Sequence, residues 1–321
     1  MTKAEKINPV YFLLLFLVSA LWSCSGTQPF LEPEKPSVPS KGLIPQAIIC
    51  SDNLGSQPLN QPQGLAFDNQ GNIYIADTGN NRVVKCDAEG GFLKEAGGFG
   101  WGEGQFNQPT SATLDYGLNL YVVDSQNKRV SRYDKNLNFI SLIEPEPISD
   151  FRGLGTLYGI AVNSAGEIFL SDTENDWLVK LNSFLQYESI FGGFTSGLGA
   201  LSNPGGIALD QSGKIYVADS GKRRVVVFDP FGNFLKEFGS DVLQQPQGLT
   251  VNSAGEILVA DSKKNQIFIF NSEGNLILEF GREGKTLGQL SKPVDVKIFQ
   301  DQQVLVLEQD NNRIQVFQLT R

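Results

Sequence analysis

The sequence predicts an all-β protein: a six-bladed β-propeller of four-stranded antiparallel blades, closed by an N-terminal strand that completes the last blade. Three observations predict it. A motif of the form P-x-G-[LI]-A, or a degraded version of it, begins at Pro62, Pro109, Leu157, Pro204, Pro246 and Pro293, at intervals of 47, 48, 47, 42 and 47 residues. A period of about 40–50 residues belongs to propeller blades rather than to most helical solenoids. Each unit contains short β-branched and aromatic runs bounded by Asn, Asp and Gly, which is the strand-and-hairpin signal. The last unit is one strand short, and a strand-like segment precedes the first unit.

Within a unit the order repeats. In the first, Leu65-Ala66-Phe67 is a strand, Asp68-Asn69-Gln70-Gly71 a turn, and Ile73-Tyr74-Ile75-Ala76-Asp77 a second strand. Arg82-Val83-Val84-Lys85-Cys86 and Phe92-Leu93-Lys94-Glu95 follow as third and fourth strands. Four antiparallel strands make a blade. No unit is long enough to bury its own faces, so neighbours must stack. The sixth unit ends with its third strand, Arg313-Ile314-Gln315-Val316-Phe317. Gln46-Ala47-Ile48-Ile49-Cys50 has the character of the missing fourth strand and is predicted to close the ring, which protects an open edge.

These residues resemble the NHL repeat family. Gly97–Pro109, GGFGWGEGQFNQP, is similar to the family's inter-blade linker, and Asp77–Val83, DTGNNRV, to its turn between second and third strands. The resemblance covers nearly all of residues 43–321. The Gly-His and Trp-Asp pairs of WD40 repeats and the pattern of kelch repeats are absent.

Ahead of the repeats, Lys3 and Lys6 precede the apolar run Val10–Trp22, about thirteen residues, which is short for a membrane span of ~20 residues and fits a signal-peptide core. Leu21-Trp22-Ser23-Cys24 resembles a bacterial lipobox, with Trp22 in place of the usual small or aliphatic residue. The resemblance implies cleavage before Cys24, lipidation of Cys24, and a lipoprotein anchored in the bacterial cell envelope. Ser25 follows the outer-membrane sorting pattern, with the periplasmic or surface side left open. A short uncleaved anchor and an ordinary cleaved signal are the alternatives. Residues 1–23 are thus read as signal, 24–42 as a tether containing Pro29, Pro33, Pro36 and Pro39, and 43–321 as propeller. At ~3.1 Å per residue the tether reaches on the order of 50 Å.

Composition narrows the chemistry. The formal net charge is −9, which argues against a nucleic-acid partner. Histidine is absent, which removes the commonest general base and metal ligand. The resemblance extends to NHL-like lyases, such as the peptide-amidating and streptogramin lyase groups, which are expected to use histidines that this chain lacks. No cofactor and no metal are predicted. Calcium needs several oxygen ligands, and the ring of first-strand entry residues offers one carboxylate.

Binding on a propeller usually occurs on the face made by the second-to-third-strand loops and the linkers. The candidates there are Gln63, Thr110, Ser111, Tyr158, Gln247 and Asp295 around the channel mouth, with Arg82, Arg129, Trp177 and Trp101 on the loops. Second strands end in Asp77, Asp124, Asp172, Asp219, Asp261 and Glu308. An Asp before Thr or Ser commonly caps its own turn, so these acids are read as structural, with the arginines that open the third strands as their partners. Trp177 stands where four siblings have arginine. Cys50 and Cys86 read as buried thiols, with a disulfide left open.

The expected function is non-enzymatic: an envelope-anchored propeller that binds a protein, peptide or glycan on its loop face, held to the membrane by an N-terminal lipid. The alternative is a propeller-type lyase, lactonase or hydrolase without histidine chemistry, working around Asp295 and Tyr158.

Overall fold

The computed structural model describes residues 42–52, 54–117, 119–145, 153–193 and 197–320. The signal segment, Cys24 and all of the tether except Gly42 lie outside these residues. Six four-stranded antiparallel sheets form the predicted propeller. The inner strands are Gly64–Phe67, Pro109–Leu114, Leu157–Val162, Pro204–Leu209, Pro246–Val251 and Pro293–Phe299.

Burial explains the sequence pattern. In blade one the second and third strands, Ile73–Asp77 and Arg82–Cys86, are buried at every residue, whereas the outer strand Phe92–Gly97 is largely exposed. A strand covered on both faces reads as a continuous apolar run. Each apolar cluster bridges two blades: Tyr74 and Val83 meet Leu120 and Val122 of blade two, and Ile75 and Val84 meet Leu305 and Leu307 of blade six. No blade therefore owns a core of its own, and stability requires the closed ring.

Closure occurs where predicted but over a longer stretch. Gly42–Ile49 pairs antiparallel with Arg313–Thr320, from Gly42 opposite Thr320 to Ile49 opposite Ile314, with a register shift between Pro45 and Ala47. The third strand runs on to Thr320 because Leu319 is an inward-facing apolar residue, buried beside Leu43 and Phe317. Immediately after the closing strand, Cys50 is buried against blade one together with Cys86. Both are free thiols. A hydrogen bond between them and burial push the Cys50 thiol far above its ordinary pKa, so Cys50 is not the reactive kind of cysteine.

The hairpins joining first and second strands are built on one device. Asp68 Oδ1 accepts from the backbone N–H groups of Gln70 and Asn72, at 3.0 and 2.9 Å, and Gly71 takes φ +85°. Asn163, Asp210 and Asn252 repeat both backbone bonds, and Asp115 makes the second of them with Asn119. Blade six departs: Phe299 occupies the Asx position, and Gln300 and Asp301 follow at φ +51° and +58°.

Candidate functional site

The propeller has two faces. One carries the second-to-third-strand turns and the linkers, and is called the linker face below. The other carries the first-to-second-strand hairpins.

On the linker face the ring of acids is structural, but its bonding differs from the expected self-capping. In blades one, two, four and six the acid pairs with the arginine opening its own third strand: Arg82 with Asp77 at 2.7 Å, Arg129 with Asp124 at 2.8 Å, Arg224 with Asp219 at 2.8 Å and Arg313 with Glu308 at 2.7 Å. Each acid also accepts a backbone N–H from the preceding linker, as Asp77 does from Asn60 and Asp124 from Asn107, both at 2.7 Å. Self-capping is found at Asp172 and Asp261, which accept from the N–H groups two and three residues on. Those are the two blades where Trp177 and Gln266 replace arginine. Without a guanidinium beside it, the carboxylate satisfies Oδ1 on the backbone of its own turn, while Oδ2 accepts from the preceding linker, Gly155 N–H for Asp172 and Gln244 and Gln245 N–H for Asp261.

Arg82 and Arg129, named as binding candidates, spend their donors on the fold. Arg129 bonds Asp124 through Nε, the Trp101 carbonyl at 2.7 Å through Nη1, and the Gly102 and Gln105 carbonyls at 3.0 and 3.1 Å through Nη2. Arg82 does the same for the segment before blade one, through the carbonyls of Leu54 and Gln57 at 2.9 and 2.7 Å. Burial pushes the Asp124 carboxyl up, against the Asn107 N–H, Asn127 and Arg129, which pull it down.

The channel-mouth candidates lie together on the inner strands, where the blades crowd one another. A Cβ on Gly248 would come within 2.6 Å of the Asp295 Cα, and one on Gly64 within 2.6 Å of the Ser111 Cα. Glycine at this position lets the inner strands approach backbone to backbone. Thr110 Oγ1 donates to the Tyr158 carbonyl at 2.8 Å, and the Gln63 N–H to Ala76. Asp295, standing where four siblings have glycine, accepts from the Leu65 N–H of blade one at 2.9 Å and from Lys297 Nζ at 2.9 Å. Burial pushes the Asp295 carboxyl up and Lys297 opposes this. Burial and the Asp295 charge push the Tyr158 phenol up. Tyr158 and Asp295 therefore share the channel, but the carboxylate that would act as base is committed to inter-blade bonds. Gln247 is half-buried on the same ring. Trp177 is half-buried against the cluster between blades two and three, and its Nε1 has no partner among the described residues.

Trp101 is different. It is 66% exposed and packs edge-on against Phe99, itself 60% exposed, with ring centroids 5.2 Å apart. Phe99 is not among the sequence candidates. The signal for it lies in comparison with the sibling linker Gly281–Pro293, where Glu283 and Lys285 occupy the two positions. The backbones match: Gly100 N–H to Phe106 O and Gly284 N–H to Leu290 O, and Asn127 to Gly100 O and Asn311 to Gly284 O. The linker folds without aromatic residues.

A cavity of about 290 Å³ opens on the linker face beside Asn80, Arg82 and Glu95, and others open on the hairpin face, among them one of about 390 Å³ lined by Tyr116, Ser164 and Asp210. One of about 190 Å³ lies in the channel among Ile160, Ile207, Leu249 and Lys297. Another of about 280 Å³ lies between blades six, one and two. Among the described residues no three His, Cys, Asp or Glu side chains converge to hold a metal.

Comparison with known proteins agrees with this architecture. The family model described as NHL repeat matches residues 59–86, 201–228 and 243–270. The protein brain tumor of Drosophila melanogaster is 31% identical over 208 residues, covering 64% of this chain and 15% of that protein. A catalytically inactive histidine-to-alanine variant of virginiamycin B lyase from Staphylococcus aureus, bound to quinupristin, is similar with a TM-score of 0.61 at 13% identity, over 88% of this chain and 100% of that one. A nidogen/laminin complex structure is similar with a TM-score of 0.58 at 19% identity, over 70% of this chain and 81% of the matched chain. The chain is a six-bladed propeller carrying NHL repeats.

Proposed function

We propose that this protein is a non-catalytic binding propeller that takes a protein partner on its linker face, with Phe99 and Trp101 as anchoring side chains. The observation that carries this is the sibling linker: the same backbone contacts form with Glu283 and Lys285 in place of the aromatic pair. The rings are thus free of any structural duty, and two large apolar groups remain exposed on a loop that Arg129 and Asn127 hold rigid. Exposed aromatics on a rigid support bind at low entropic cost and are typical hot spots. The complex of nidogen with laminin supports a protein partner for a propeller of this shape. The catalytic alternative is disfavoured because the chain has no histidine and Asp295 is committed to bonds within the ring.

The test is capture by crosslinking from envelope extract. Phe99→Ala with Trp101→Ala is expected to weaken the captured interaction about 30-fold or more, the effect of losing a hot spot of ~2 kcal/mol, while Lys285→Ala leaves it unchanged. Retention of every captured partner by the double variant would overturn the proposal, and capture that is abolished by glycan competitors would reassign the surface to a glycan.

The N-terminal segment supports a further element of the proposal, that the propeller is held at a bacterial envelope membrane through lipid on Cys24. Intact mass of membrane-purified protein is then expected to show cleavage before Cys24 plus acyl chains, and Cys24→Ser to release the protein from the membrane fraction. An unmodified Cys24 in the membrane-bound protein would refute lipid anchoring.

A further inference from the structure

We propose that the cavity between blades six, one and two on the hairpin face binds an organic cation of the methylated or quaternary ammonium class. This goes beyond the protein-binding reading and lies on the opposite face of the molecule. The cavity is about 280 Å³ and is lined by Phe67, Phe299, Tyr116, Leu114, Asp68 and Asp115, with Asn69 at its edge. That volume is at the small end for ligand sites and suits a head group rather than a polymer.

Two of the aromatic residues are departures from the repeat. At the first hairpin position five blades carry Asp or Asn and blade six carries Phe299; at the second, Asn69, Ser164, Gln211, Ser253 and Gln300 are polar and blade two carries Tyr116. Both departures line one cavity, from the blades on either side of blade one. Packing accounts for Phe299, whose ring meets Phe67 edge-on at 5.1 Å and lies against Gly71. Packing does not account for Tyr116, which is 83% exposed.

The two carboxylates select the ligand class. Asp68 accepts from Gln70 N–H, Asn72 N–H, Asn72 Nδ2 and the Tyr74 hydroxyl. Asp115 accepts from Asn119 N–H, Asn119 Nδ2 and the Tyr121 hydroxyl. They bring negative charge to the cavity with nearly all acceptor positions taken. Lys85 and Arg132 are held over the rings of Tyr74 and Tyr121, and among the described residues no lysine or arginine lines the cavity. A sugar or a primary ammonium needs hydrogen-bond acceptors. A methylated ammonium needs only aromatic surface and a negative field.

The experiment is titration of the full chain with choline and tetramethylammonium, followed by saturation-transfer NMR on the methyl signals. Saturable binding of both is expected. Tyr116→Ser, which installs a residue that two sibling blades carry, is expected to weaken it about fivefold or more, and Phe299→Asn, which installs the uncharged turn residue that two sibling blades carry, to weaken it further. 3,3-Dimethylbutan-1-ol, the uncharged carbon analogue of choline, is expected to bind more weakly than choline. No saturable binding of either cation, binding unchanged in Tyr116→Ser, or equal binding of the neutral analogue would each overturn the proposal. Glucose or N-acetylglucosamine oligomers that bind with the same sensitivity to these variants would also overturn it, in favour of a sugar site. Phe99→Ala with Trp101→Ala leaves choline binding unchanged if the two faces act separately, so the failure of either proposal is distinguishable from that of the other.

Discussion

Arg129→Ala is expected to lower the unfolding free energy by about 3–5 kcal/mol, the usual cost of breaking a buried ion pair by removing one partner. Asp124 is fully buried, and its partner holds both the carboxylate and three linker carbonyls. The alanine variant leaves a buried charge with Asn107 N–H and Asn127 as its remaining donors. Burial already pushes the Asp124 carboxyl up, and loss of Arg129 raises it further. A carboxyl with a raised folded-state pKa binds protons more tightly folded than unfolded. Stability therefore falls as pH rises from the unfolded value of about 3.9 through the folded pKa, and the deficit of the variant is smaller at the acid end of that window. Urea unfolding across pH measures this. Adding Asp124→Asn to Arg129→Ala is expected to recover part of the loss, and a deficit under about 1 kcal/mol at neutral pH would show that the pair contributes little.

Deleting Gly42–Ile49 is expected to have a still larger effect. It uncovers the eight-residue strand Arg313–Thr320 along its length and removes Leu43, which is buried with Leu258, Phe317 and Leu319. Burial of one such side chain contributes about 1.5–3 kcal/mol, and an uncovered strand edge recruits other chains. The deletion is expected to give oligomers by size exclusion and a broad urea transition of lowered midpoint. A monodisperse monomer with the full-length midpoint would show that blade six holds without its fourth strand.

The repeat spacing made the ring legible, since the interval between Pro62 and Pro109 sets how much chain one blade has. The closing strand was legible by character but not by length, because its extent depends on Leu319, an apolar residue that sequence alone does not place beside Leu43. The pairing of arginines with acids was legible; the linker N–H groups on the same carboxylates were not, because they come from residues some 17 positions away with no side-chain signature. Trp101 was visible as an odd residue in a glycine-rich linker, but Phe99 beside it emerges only when the linker is set against Glu283 and Lys285. Tyr116 and Phe299 depart from their siblings but were not among the sequence candidates, because a departure on one blade carries no signal until the cavity it lines is known. What the sequence did not reveal is that residues 183 positions apart line one cavity, since this depends on ring closure bringing the last blade beside the first.

The seam in blade six also orders events in time. Thr320 and Gly42 are hydrogen-bonded across a separation of 278 residues. The strand Gly42–Ile49 must therefore wait, unpaired, until Arg313–Thr320 is available to pair with it. Because each apolar cluster is shared between blades, the intermediate blades can stack in turn, but the two clusters flanking blade six remain incomplete until blade six itself is present. Contacts at such separation form slowly. The interval between completing blade five and docking Gly42–Ile49 is thus the period in which the nascent protein exposes a strand edge, and in which a chaperone would have most to protect.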